Sequence, residues 1–173
     1  MRNLYPDIHL KTILEITIEM LNKNNIKGLI LDVDNTIIDF SRTPIDGLED
    51  WANGLKEKGI KLCILSNTNN KQKVKNLGEK LGIPYLYFAK KPLKTGFIKA
   101  KAVLELNPEN IAVVGDQLFT DVIGGNACGM FTILVEPLGK QDIFLTAIKR
   151  PIERYFIKRY DNNVKGKEKD DNK

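Results

Sequence analysis

Five short apolar runs recur along the chain: "GLILDVD" (28–34), "IKLCILSN" (60–67), "YLYFAKK" (85–91), "NIAVVGD" (110–116) and "FTILVEP" (131–137). Most are too continuous for a sheet with one face in water. They predict central strands of a parallel sheet covered on both faces. Polar stretches of helical period lie between them. Residues 45–58 space Leu48, Trp51, Ala52 and Leu55 on one helical face, and Gly59 supplies a stop. Residues 69–81 carry Val74, Leu77 and Leu81 on one face before Gly82. Residues 95–106 carry Phe97, Ile98, Ala102, Val103 and Leu106 and end at "NP". Trp51 reads as a core anchor. Strands alternating with helices predict an α/β fold with right-handed crossovers.

Residues 5–27 read as an N-terminal amphipathic helix or helix pair, with Ile13, Leu14, Ile16, Ile18, Met20 and Leu21 as its apolar content. One domain is expected over residues 1–160. The polar segment 161–173, "DNNVKGKEKDDNK", is expected to be a disordered tail.

In an open α/β sheet, ligands bind beyond the carboxyl ends of the strands. The first predicted strand ends in Asp32-Val33-Asp34-Asn35-Thr36, and the second in Ser66-Asn67-Thr68. The third runs into Lys90-Lys91-Pro92, and the fourth ends in Gly115-Asp116 with Thr120-Asp121 after it. The polar chemistry is therefore expected at one edge of the sheet. Clustered carboxylates need neutralising, and a hard divalent cation such as Mg²⁺ does this with oxygen ligands and a substrate phosphate. A lysine offsets phosphate charge, while hydroxyls and backbone N–H groups donate to its oxygens. An aspartate can also act as nucleophile, with a second carboxyl moving the proton.

Composition narrows the alternatives. The chain has 173 residues, 42% hydrophobic and 28% charged, as expected of a soluble globular protein. No apolar run approaches the roughly 20 residues of a membrane span, and residues 1–25 lack the pattern of a signal peptide, so a cytoplasmic location is expected. Cys63 and Cys128 form no CxxC pair and read as free thiols. His9 is the single histidine, which disfavours His-based triad chemistry. The net charge is +5, and residues 149–173 hold nine Lys or Arg against five Asp or Glu.

The strand-end motifs resemble those of the haloacid dehalogenase (HAD) superfamily of phosphatases, over about residues 26–137. "DVDNT" resembles the first motif. The resemblance implies Asp32 as nucleophile, Asp34 as general acid/base, and Mg²⁺ on the Asp32 carboxylate and the Asp34 carbonyl, with Thr36 in support. Ser66, supported by Asn67, resembles the second motif and would bind the phosphoryl group. Lys91 resembles the third, with Lys90 and Lys94 as rivals. "GDQLFTD" resembles the fourth, making Asp116 a metal ligand and Asp121 a second ligand or an outer group. The implied fold is a Rossmann-like three-layer sandwich around a parallel sheet of about five strands. Only 31 residues separate Asp34 from Ser66, and 24 separate Ser66 from Lys91, so no cap domain is expected. Residues 37–43 would form a short flap.

Within the superfamily, "LYPD", "KGLILDVDNT", "AKKPLKTGF" and "VGDQLFTDVIGGN" resemble the YqeG-like subgroup of class IIIA, which is similar to phosphatidylglycerophosphate phosphatases. The implied reaction converts phosphatidylglycerophosphate to phosphatidylglycerol. A phosphoprotein, a nucleic-acid end or a soluble metabolite is the alternative substrate. Residues 148–160, "IKRPIERYFIKRY", set apolar and aromatic positions among Arg150, Arg154, Lys158 and Arg159. They suit peripheral contact with anionic phospholipid, or a final helix packed on the sheet. No motif for nucleic-acid recognition is present. A phospho-accepting receiver is the non-enzyme alternative, disfavoured because no Asp lies between Asp50 and Asp116. A binding module acting through the basic C-terminal segment is the other.

Overall fold

A computed structural model describes residues 4–138, apart from residues 40 and 42. It contains a six-stranded sheet in the order β1-β6-β5-β2-β3-β4. The strands are β1 (Ile8–Leu10), β2 (Gly28–Leu31), β3 (Lys61–Leu65), β4 (Tyr85–Leu86), β5 (Ile111–Gly115) and β6 (Phe131–Val135). All the pairings are parallel. The helices are α1 (Ile18–Lys23), α2 (Leu48–Glu57), α3 (Lys71–Leu81), α4 (Lys94–Leu104) and α5 (Ile123–Ala127).

Alternation along β2 shows why the sheet needs two covers. Leu29 and Leu31 enter one core with Leu48, Leu55, Val74 and Leu77 of α2 and α3. Ile30 enters the opposite core with Phe97, Ala100 and Leu104 of α4. The period of two in a strand sends neighbours to opposite faces, so a fully apolar run demands a helix layer on each side. Trp51 packs against the first core and donates its indole N–H to the Ile16 carbonyl at 3.0 Å. Cys63 lies in the second core, where burial pushes its thiol up to about 12.

Two expectations change. Residues 5–27 are not purely helical: β1 occupies Ile8–Leu10 at the sheet edge, followed by a 3-10 turn at Ile13–Glu15 and then α1. The sheet therefore gains a sixth strand. "IHL" is too short to show a period, and pairing with β6 decides it. The run 85–91 is strand only at Tyr85–Leu86, because the backbone takes positive φ at Phe88 (51°) and Lys90 (56°). The cap of α3 is Asn70, whose side chain accepts from the Lys73 N–H at 3.0 Å.

The described segments between β2 and β3 and between β3 and β4 hold α2, α3 and a small flap, with no cap domain among the described residues. The flap is pinned by bridges from Ile38 to Asp34 and to Pro44. The tail 161–173 and the basic segment 148–160 lie outside the described residues.

Candidate active site

The strand order reverses at β2, which has β5 on one side and β3 on the other. Such a switch point opens a crevice at the carboxyl ends of the two strands. Asp32 follows β2 there and Asp116 follows β5. The Asp32 backbone N–H still donates to the Val114 carbonyl at 2.9 Å, so the nucleophile candidate is fixed by the sheet itself.

Lys91 sits at the centre. Its ammonium donates to Asp32 Oδ1 at 2.7 Å and to Asp121 Oδ1 at 2.6 Å, and all three side chains are buried. Burial alone would lower the lysine pKa, but Asp121 and Asp32 outweigh it and the net shift is upward. Burial pushes Asp32 up to about 6, with Lys91 opposing and Asp121 adding to the rise. The charged form of Asp32 is therefore costly, and it depends on the lysine. Lys90 and Lys94 are exposed.

The Lys91 backbone is clamped by Asn67. The Asn67 amide donates to the Lys91 carbonyl at 3.0 Å and accepts the Lys91 N–H at 2.6 Å. The side chain thus holds the loop of the lysine. Removing it is expected to cost about 1–3 kcal/mol for two lost hydrogen bonds and to loosen the ammonium. Asn67→Ala should lower kcat by about 10- to 100-fold while the melting temperature falls by about 2–12 °C. Steady-state kinetics beside thermal unfolding checks this. Next to it Ser66 is buried, and its hydroxyl accepts the Thr68 N–H at 3.2 Å.

Asp121 arrives by a π-helical turn, Leu118–Val122, an irregularity often associated with functional sites. Its second oxygen, Oδ2, accepts from the Gln117 N–H at 3.2 Å and the Thr120 hydroxyl at 3.2 Å. Both carboxylate oxygens are thus engaged by the protein. Gly115 is required by the close approach: a Cβ there would lie 2.3 Å from Asp121 Cγ.

Asp32, Asp116 and Asp121 each offer a carboxylate oxygen within 4.8 Å of the others. Hard oxygen donors at this spacing fit Mg²⁺. The Asp34 carboxylate is not in this group. It is half-exposed and paired with Lys73 of α3. The two aspartates of "DVD" therefore reach two different lysines rather than one spot. Lys73 was not foreseeable from sequence, since nothing distinguishes it from the other lysines at 71–80. Thr36, the last residue of the first motif, is buried, with no hydrogen-bond partner for its hydroxyl among the described residues.

The family model described as mitochondrial PGP phosphatase matches residues 1–139. The chain belongs to this family. A curated relative, the "Probable phosphatase YqeG" of Bacillus subtilis, is 46% identical over 88% of each chain. The chloroplastic/mitochondrial phosphatidylglycerophosphate phosphatase 1 of Arabidopsis thaliana is 28% identical over 90% of this chain and 47% of its own length. A crystal structure of an uncharacterized protein from Listeria monocytogenes serotype 4b shares the fold, with a TM-score of 0.56 and 20% identity over 69% of this chain and 86% of its own. The YqeG-like and phosphatidylglycerophosphate-phosphatase-like relationship expected from the motifs is borne out, as is the parallel α/β architecture.

Proposed function

We propose that this protein removes the terminal phosphate of phosphatidylglycerophosphate, with Asp32 as nucleophile and Mg²⁺ as cofactor. The coarser part follows from family membership: the chain is a HAD-type phosphatase, a phosphoric monoester hydrolase. The observation that carries the mechanism is Lys91 held between Asp32 and Asp121 at the switch point, with Asp116 alongside.

In this reading an oxygen of Asp32 attacks phosphorus and the bond to the ester oxygen breaks. Asp34 gives the leaving alkoxide its proton. Asp34 then takes a proton from water, whose oxygen attacks the same phosphorus. The aspartyl–phosphate bond breaks, returning the Asp32 carboxylate and inorganic phosphate. The Ser66 hydroxyl and the Lys91 ammonium bind the phosphoryl oxygens, and Asn67 and Thr36 support them. The Asp32 and Asp116 carboxylates and the Asp34 carbonyl would hold the cation, and Asp121 orients Lys91. When bound, Mg²⁺ neutralises charge on the phosphoryl oxygens.

A cavity of about 380 Å³ between flap and α3, lined by Ile38, Pro44, Asn70, Lys73 and Leu77, adjoins Asp34 through Lys73. It offers room for the glycerol of a leaving group. Among the described residues no helix is long and apolar enough to cross a membrane, and approach to the lipid is peripheral in this reading.

The test is phosphate release from phosphatidylglycerophosphate in mixed micelles with Mg²⁺, against a panel of soluble phosphate esters. A preference in kcat/KM of about 100-fold or more for the lipid is expected, worth about 2.7 kcal/mol of transition-state binding. Equal or better turnover of a soluble ester would discard the lipid.

A further inference from the structure

Tyr87, Phe88 and Leu93 are large apolar residues 40, 55 and 58% exposed, all on the loop that carries Lys91. Their exposure is built in rather than a consequence of slack. The Phe88 N–H donates to the Thr68 carbonyl at 2.9 Å, and the Ala89 N–H donates to the Ser66 carbonyl at 3.0 Å. Phe88 itself stands at φ 51°, an uncommon conformation for an aromatic residue. The loop is thus bonded to the phosphate-binding loop while its aromatic side chains face water. Beneath them a cleft of about 600 Å³ runs between Tyr85, Leu86, Thr95 and Lys99.

The charge around this rim has one sign. Lys71 lies 5.9 Å from the centroid of the Tyr87 ring, and Lys90 lies 5.0 Å from that of Phe88. Lys94 and Lys99 are exposed on α4. From residue 80 to residue 104 the sequence has six lysines and no Asp or Glu. Aromatic rings with a leucine, surrounded by lysines, match the two layers of an anionic bilayer surface: an apolar interface beneath negative headgroups.

We propose that Tyr87, Phe88 and Leu93, ringed by Lys71, Lys90, Lys94 and Lys99, form a docking surface for anionic lipid membranes. The rings and Leu93 enter the interface, and the ammonium groups lie over the headgroups. Docking sets the loop of Ser66 and Lys91 against the bilayer, where a lipid phosphate is presented. The inference deepens the lipid-substrate reading and rests on it for its purpose, but it is distinct from any contact made by residues 148–160.

The experiment is sedimentation of the full chain with vesicles of phosphatidylcholine alone and of phosphatidylcholine with one third phosphatidylglycerol. Wild type should partition onto the anionic vesicles at least about tenfold more strongly. Phe88→Asn with Leu93→Ser, and separately Lys90→Gln with Lys94→Gln, should each lower that partition about tenfold or more. Melting temperatures should stay within a few degrees. Triple replacement Arg150→Gln, Arg154→Gln, Lys158→Gln should have the smaller effect. The surface is overturned if the rim variants bind like wild type, or if only the 150/154/158 variant loses binding. It is equally overturned if single-stranded RNA binds the rim more tightly than the vesicles do. Hydrolysis of phosphatidylglycerophosphate in detergent is followed alongside. Turnover with unaltered vesicle binding by the rim variants rejects the surface alone. Rim-dependent binding without turnover rejects only the lipid substrate.

Discussion

Asp32→Asn is expected to lower kcat by about four orders of magnitude or more, because it removes the carboxylate proposed to attack phosphorus, and both oxygens of Asp121, the other carboxylate on Lys91, are already engaged by the protein. The fold should survive. Burial makes the Asp32 charge costly, raising its pKa to about 6 from an ordinary value just under 4. A raised carboxylate pKa means that the folded state holds the proton more tightly than the unfolded one. Stability from this group is therefore fully present below about pH 4 and is lost as pH rises through 6. In Mg²⁺-free solution near pH 7 the asparagine variant should melt no lower than wild type. The advantage should vanish below about pH 4. Thermal unfolding across pH, beside steady-state kinetics, checks both parts. A variant that keeps a tenth of wild-type turnover would remove Asp32 from the nucleophile role.

Lys91→Met should behave in the opposite way, with activity and stability lost together. The lysine is the cation placed between two buried carboxylates. Without it Asp32 and Asp121 face each other uncompensated, a loss of about 3–5 kcal/mol. For a chain of this size that is a fall in melting temperature of about 6–20 °C. Turnover should drop by about a thousandfold or more, since the same ammonium is the one proposed to bind the phosphoryl oxygens. Lys90→Met, one residue away but exposed, should leave the melting temperature within about 2 °C. Calorimetry of the two variants without Mg²⁺ separates the roles. A Lys91→Met protein as stable as wild type would contradict the buried triad.

The strands that carry the chemistry were legible because they are central. Residues 28–31, 62–65 and 111–115 are apolar on both faces, and 131–135 is interrupted only by the buried Thr132, a pattern that suits a doubly covered parallel sheet. The polar residue closing each strand was then placed by topology alone. Edge elements were not legible. β1 has three residues, and its identity comes from pairing with β6 rather than from its own pattern. The run at 85–91 looked like a strand because it is apolar, yet Tyr87 and Phe88 face solvent and the chain turns at Phe88 and Lys90. An apolar run that is exposed defeats a reading based on burial. The clamp of Asn67 on Lys91 and the pairing of Asp34 with Lys73 are tertiary meetings, across 24 and 39 positions, that no local spacing encodes.

The most direct measurement is to quench the enzyme in acid during turnover, reduce with borohydride, and map the chain by mass spectrometry. An acyl phosphate is reduced to an alcohol, so an aspartyl-phosphate is read out as homoserine at its own position. Homoserine is expected at position 32, dependent on both substrate and Mg²⁺ and absent from the Asp32→Asn protein. Phosphate release with no modified residue, or modification at position 34 or 116 instead, would contradict it.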